Sequence, residues 1–255
     1  REAQVPSVLE MLGIPYSGSD PLTLSLCLDK PLTQKVVALL GVVTPRNKLV
    51  SSRSQLAGLE EEWSIFPCLV KPAFEGSSKG VRLGSRLDDM PALLGEVSSM
   101  LDLYQQAVMV EEFIAGEEIT VGVIGKPPRV LGIMRVLPKH GPDPNFIYCL
   151  EVKRDFEELV TYECPARLAP DTLLQIEKAS LKAFEALGCR DVARLDFRVD
   201  RQGKPYFIEI NPLPGLRPVY SDLPIMAQLV GYDYDALIGL ILDSALERQF
   251  QCAKR

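Results

Sequence analysis

Apolar Leu195, Phe197 and Val199 alternate with polar Arg194, Asp196 and Arg198, and Tyr206, Ile208 and Ile210 alternate with Phe207, Glu209 and Asn211. A period of two predicts half-buried strands. The turn Arg201-Gln-Gly-Lys204 between them predicts an antiparallel hairpin. Centred on Gln202-Gly203, it sets Asp196 opposite Glu209 and Arg194 opposite Asn211. Helical spacing predicts a helix over 2–12, ended by Gly13-Ile-Pro15, and another over 30–40, stopped by Gly41. Pro45 marks a linker. Residues 63–69 and 81–83 are predicted strands bracketing a Gly/Ser loop, and 87–102 is a predicted amphipathic helix. Residues 107–111, 118–124 and 130–136 read as strands. Residues 138–158 combine early Pro and Gly with later charges and predict a long, mobile loop. A helix is predicted over 171–187, with Asp171 as its N-cap and Gly188 as its stop, and helices over 222–230 and 233–249 close the chain. The mixture places the chain in the α/β (α+β) class.

The hairpin carries the first chemical signal. Side chains directly opposed on one face have Cβ atoms ~4.5–5.5 Å apart, and unpaired like charges there destabilise a sheet. Two carboxylates and an amide oxygen so placed suit a hard cation such as Mg²⁺ (or Mn²⁺), held by oxygen ligands. The competing reading is a solvated sheet face whose carboxylates are neutralised by Arg194 and Arg198. Asn211-Pro-Leu-Pro-Gly215 breaks the strand at once, which puts Asn211 at a sheet rim.

Length and charge narrow the classes. A chain of 255 residues, 47% hydrophobic, buries a large core and exceeds one typical domain. A net charge of −6 without a basic run argues against nucleic acid or an anionic membrane as the main partner. Six cysteines without a C-x-x-C pair read as ordinary thiols in a reducing cytosol, and no apolar run reaches the length of a membrane span. A cytoplasmic location is therefore expected. His140 is the only histidine, so a Ser–His or Cys–His nucleophile system finds no support.

The acidic pair, the Glu209-Ile-Asn211 triplet and the Pro214-Gly215 turn together resemble the ATP-grasp superfamily, and within it the D-alanine–D-alanine ligases. Further pieces match in order. These are Ile14-Pro-Tyr-Ser-Gly-Ser19, Asp29-Lys30, Val70-Lys71-Pro72, Glu75-Gly-Ser-Ser-Lys-Gly-Val81 and Glu111-Glu-Phe-Ile-Ala-Gly-Glu-Glu118. The resemblance runs from about Arg1 to about Gly231. It implies an ATP- and Mg²⁺-dependent ligase that forms a D-Ala-D-Ala-like dipeptide through an acyl-phosphate, in cell-wall peptidoglycan synthesis. Small-molecule amino acids would be its substrates, and a homodimer is allowed. By residue, it implies metal ligation by Asp196, Glu209 and Asn211. Nucleotide binding would fall to Lys30, Lys71, Ser77, Glu111, Ile114 and Glu118. Glu111 would accept from the adenine amino group, and Glu118 from the ribose hydroxyls. Catalytic roles would fall to Arg194, Lys153, Ser78, Gly215 and Ser221, with Lys153 on the γ-phosphate and Arg194 on the acyl centre.

The implied fold is ATP-grasp, two lobes with the nucleotide between them and the N-terminal lobe largely absent. Residues 1–30 would be the remnant of that lobe, 31–110 the small central lobe and 111–255 the large C-terminal lobe. Two departures keep alternatives open. Arg154 stands where the family has Tyr beside the second amino acid, so another ATP-grasp ligase with a different amino acid or amine is one alternative. A nucleotide-binding module inactive without its N-terminal lobe is the other. The segment from Gly215 to Ser221 is also one residue longer than the common spacing.

Overall fold

The structure, a computed structural model, describes residues 2–76, 79–82 and 84–253. Two antiparallel sheets organise it. The smaller contains β1 (Asn47–Val50), β2 (Cys68–Pro72), β3 (Arg86–Leu87) and β4 (Val108–Glu112), in the order β1-β4-β2-β3. The larger contains β5 (Gly116–Ile124), β6 (Arg129–Pro138), β7 (Val160–Glu163), β8 (Val192–Asp200) and β9 (Pro205–Asn211), in the order β7-β6-β5-β8-β9. The helices are α1 (Gln4–Met11), α2 (Pro21–Leu28), α3 (Lys30–Leu39), α4 (Leu56–Glu62), α5 (Met90–Tyr104), α6 (Leu150–Arg154), α7 (Phe156–Leu159), α8 (Pro170–Ala186), α9 (Asp222–Leu229) and α10 (Tyr234–Ala253).

Aspartates start three of these helices. Asp20, Asp29 and Asp89 accept from the backbone N–H of Thr23, Leu32 and Ala92 at 2.8, 3.0 and 2.9 Å. In each case a proline follows within the first helical turn. Such a cap is worth about 1 kcal/mol, and proline there gives up no hydrogen bond. Asp171 does not cap α8, contrary to expectation: the cap position is Ala169, and Asp171 lies in the first turn. A carboxylate there still favours the helix through its dipole. Gly41 and Gly188, at φ +78° and +73°, end α3 and α8 as predicted.

Alternation divides the larger sheet into a core face and a polar face. Ile119, Val121, Leu195 and Phe197 pack with Ile176 and Phe184 of α8. Glu118, Thr120, Arg194, Asp196 and Arg198 stand on the other side, toward the smaller sheet. Gly116 fixes how closely β5 approaches β8, because a Cβ there would lie 1.9 Å from the Val199 carbonyl oxygen. The smaller sheet closes its own core with Val50, Val70, Leu93, Val97 and Val110.

The hairpin pairs Asp196 with Glu209 and Arg194 with Asn211, as the sequence predicts. Closer to the turn the prediction is corrected. Phe197 faces Phe207 and Arg198 faces Tyr206, so the strand slips by one residue between Asp196 and Phe197. Ile208 and Glu209 both stand on the polar side, while Phe207 and Ile210 enter the core. Phe207 meets Phe197 edge-on at 5.7 Å, a contact worth about 0.5–1.5 kcal/mol beyond buried area.

Other expectations shift. The strand expected over 63–69 is β2, which starts at Cys68 beyond Pro67, a residue with no N–H to donate. Val81 and Arg82 are not in a strand, Leu83 lies outside the described residues, and β3 pairs with β2 further along. The expected long loop over 138–158 contains α6 and α7. It buries Phe146, Ile147, Cys149 and Val152 against Phe113 and Val136. Four elements, α2, β1, α4 and β7, are additional. Leu22, Leu24, Leu26 and Leu28 alternate like a strand, yet the Asp20-Pro21 start commits that segment to a helix.

Candidate active site

Two cavities adjoin on the polar face of the larger sheet, the first of them also walled by the smaller sheet. One, of about 110 Å³, is lined by Lys30, Lys71, Glu111, Glu118, Asp196 and Glu209, among others. The other, of about 250 Å³, is lined by Arg194, Asn211, Gly215, Tyr220, Ser221 and Asp222, among others. Tyr148 and Lys153 line both. A larger groove of about 670 Å³ runs along β5 and β6, but of the predicted site residues it touches Glu118 alone.

Buried ion pairs build the first cavity. Lys71 donates to Glu111 at 2.7 Å, and Gln34 reaches the other oxygen of Glu111, also at 2.7 Å. Gln34 also donates to the Ile208 carbonyl at 2.9 Å. The register slip of β9 therefore places Ile208 on the cavity wall and its carbonyl on α3. Glu118 pairs with Arg198 at 2.6 Å, and Arg198 also donates to the carbonyls of Ile114 and Gly116. One guanidinium thus holds the linker between the two sheets. Lys30 donates to the Glu75 carbonyl and lies 3.6 Å from Glu209. Ser77 and Ser78 lie outside the described residues.

Arg194 grips Asp196 with two parallel bonds, at 3.1 and 2.8 Å, and donates to Asp222 at 3.0 Å. Thr120 donates to Asp196 at 3.0 Å, and Asn211 reaches Glu209 at 3.2 Å. Burial pushes the Asp196 carboxyl up, against the pull of Arg194. Burial also opposes ionisation of Glu209, but Lys30, Lys71 and Arg194 hold its carboxyl down at about 2. The Asn211 amide turns its nitrogen to both carboxylates, 3.2 Å from Glu209 and 3.5 Å from Asp196, so the two carboxylates supply the facing oxygens and a half-turn of the amide would add a third. That set fits a hard divalent cation.

In the second cavity Lys153 lies 4.7 Å from the centroid of the Tyr148 ring. A Cβ on Gly215 would lie 2.8 Å from the Ser221 hydroxyl, so these two predicted residues are neighbours despite the longer connection. Arg154 is exposed and lines neither cavity. Lys153 lines both cavities while its successor on α6 faces outward, so the departure from Tyr at Arg154 lies outside the cavity walls.

Sequence reasoning missed Gln34, Thr120, Tyr148 and Asp222. Thr120 was findable, since it follows Glu118 by two residues on the same strand. Gln34 and Asp222 sit on helices whose patterns gave no polar signal.

Residues 37–243 match the family model described as the D-Ala D-Ala ligase C-terminus. The D-alanine–D-alanine ligase of Aquifex aeolicus is 34% identical over 94% of this chain and 77% of its own length. That of Syntrophotalea carbinolica is 36% identical, over 97% and 76%. A crystal structure of the Bacillus anthracis D-alanine–D-alanine ligase complexed with ATP superposes with a TM-score of 0.76 at 28% identity, over 98% of this chain and 76% of that one.

Proposed function

Because the chain belongs to the D-alanine–D-alanine ligase family and is an ATP-dependent ligase, we propose that it joins two D-alanine molecules through an acyl-phosphate in the two adjoining cavities. One observation carries the assignment of roles. The carboxylate pair Asp196–Glu209 lines the first cavity and the neighbouring cross-strand pair Arg194–Asn211 lines the second, with Lys153 lining both.

The first cavity takes the nucleotide. Lys71 and Lys30 serve the phosphates, Glu111 and the Ile114 backbone the adenine, and Glu118 the ribose, whose two hydroxyls one carboxylate can accept. Ser77 and Ser78 are assigned to the loop over the phosphates. Asp196, Glu209 and Asn211 would hold Mg²⁺ or Mn²⁺, which neutralises charge on the phosphates when bound.

A carboxylate oxygen of the first D-alanine attacks the γ-phosphorus. The new P–O bond forms as the bond to the β-phosphate oxygen breaks, and ADP leaves. Lys153 offsets the charge that builds up there. The amine of the second D-alanine then attacks the acyl carbon. The C–N bond forms, the C–O bond to phosphate breaks, and the proton given up by the amine leaves with the phosphate. Arg194, Gly215 and Ser221 face this centre, and the guanidinium stabilises the oxyanion. No side-chain nucleophile is required, since positioning and electrostatics carry both steps. We assign residues 31–110 and 111–255 to the two lobes that close on the nucleotide, and the product to cytoplasmic peptidoglycan synthesis.

The protein is tested with ATP, Mg²⁺ and a panel of D- and L-amino acids, reading phosphate release and product mass. D-alanine is expected to give the highest rate and a dipeptide. Equal phosphate release with and without amino acids, or a preference for another amino acid, overturns the reading.

A further inference from the structure

Asp222 is nearly fully buried, at 6% exposure, at the start of α9. One of its oxygens accepts from Arg194 at 3.0 Å, and the other accepts from the Tyr148 hydroxyl at 2.9 Å. The Tyr148 hydroxyl lies 2.6 Å from that of Tyr162 on β7. Tyr148 lies on the segment that carries Lys153, beneath the Lys153 ammonium. A single carboxylate therefore touches both the cation assigned to the acyl centre and the wall beneath the cation assigned to the γ-phosphate.

We propose that Asp222 is a positioning residue that aims Arg194 at the acyl centre and locks it to the Tyr148 segment that carries Lys153. The proposal rests on the function assigned above and deepens it. Arg194 has two carboxylate partners here. Asp196 belongs to the pair assigned to the metal, while Asp222 belongs to no binding set and is free to hold the guanidinium throughout. Each end of the carboxylate has a distinct duty. The Arg194 bond is charge-assisted and fixes direction, since a guanidinium presents its donors in a rigid plane. The Tyr148 bond ties the 139–159 segment to α9, so the two cations hold a fixed separation. Burial, together with Asp222, pushes the Tyr148 phenol up and keeps it a donor.

Removing the aim should slow the amide-forming step more than phosphoryl transfer. The test compares Asp222→Asn and Tyr148→Phe with the parent. Phosphate release, dipeptide yield and trapping of the acyl-phosphate by hydroxylamine as its hydroxamate are measured. Binding of a non-hydrolysable ATP analogue is followed by calorimetry. For Asp222→Asn the ratio of hydroxamate to dipeptide is expected to rise at least fivefold, with analogue affinity within twofold of the parent. Tyr148→Phe removes one hydroxyl and keeps the ring under Lys153. It is expected to raise the ratio in the same direction by a smaller factor. An unchanged ratio in Tyr148→Phe, or a fall of both products in proportion in Asp222→Asn, overturns the proposal. A parent that releases no amino-acid-dependent phosphate overturns the assigned function itself, which separates the two failures.

Discussion

Glu209 shows how a single side chain is tuned by its neighbours. Three cations keep it ionised although it is largely enclosed. Glu209→Gln keeps the shape and the Asn211 contact but removes the charge. Turnover is expected to fall about 10²–10³-fold, in line with the loss of a preorganised electrostatic partner. Circular dichroism should be unchanged; near-parental phosphate release would refute the metal-ligand role. Tyr148 and Tyr162 make the opposite case. Burial raises both phenols, Tyr162 to about 12. Their folded values lie above the ordinary value near 10. The folded state thus holds these protons more tightly, and the stability they contribute is complete below pH 10 and lost as pH rises toward 12. Phenolate absorbance on alkaline titration should therefore show a late phase coincident with unfolding. Tyr162→Phe should shrink that phase; a phase of unchanged size would be inconsistent with this account.

Elements differ in how much of them the sequence discloses. The β8–β9 pairing at the rim was legible because period-two alternation and a short turn together set a register. The slip beside it was not, since Ile208 is apolar and fits either face. What decides the matter is Phe207, whose ring packs edge-on against Phe197 in the core. Deleting Ile208 should leave Glu209 opposite Asp196 and Phe207 opposite Phe197. The cost is the Gln34 bond and a piece of cavity wall, so stability should drop by about 1–2 kcal/mol and ATP affinity by roughly tenfold. Chemical denaturation and calorimetry measure both; a variant that fails to fold would show that the slip holds the ladder together. Gly116→Ala tests the other tight contact of this sheet. A methyl group 1.9 Å from the Val199 oxygen forces β5 from β8 and should cost about 1–3 kcal/mol or more in urea unfolding. The motifs of the site were readable because they are local runs. Gln34 and Asp222 were not, because their partners lie 77 and 28 residues away, on Glu111 and Arg194.

On the scale of the whole molecule, two sheets bring their polar faces together and the cleft neutralises its own charges. Lys71 stands by Glu111, Arg198 by Glu118, Arg194 by Asp196 and Asp222, and Lys30 near Glu209. The surrounding chain carries a net charge of −6. Such a cleft projects little positive potential into solvent, so nothing at long range draws a polyanion toward it. Nucleotide capture should then be a matter of chance encounter followed by exchange of ion-pair partners, rather than of electrostatic guidance. Stopped-flow association rates for a fluorescent ATP analogue should vary less than about threefold between roughly 0.02 and 0.2 M salt, where steered encounters slow steeply. The ion pairs that keep the cleft in order thus make the enzyme's rate of meeting its fuel nearly indifferent to the ionic strength around it.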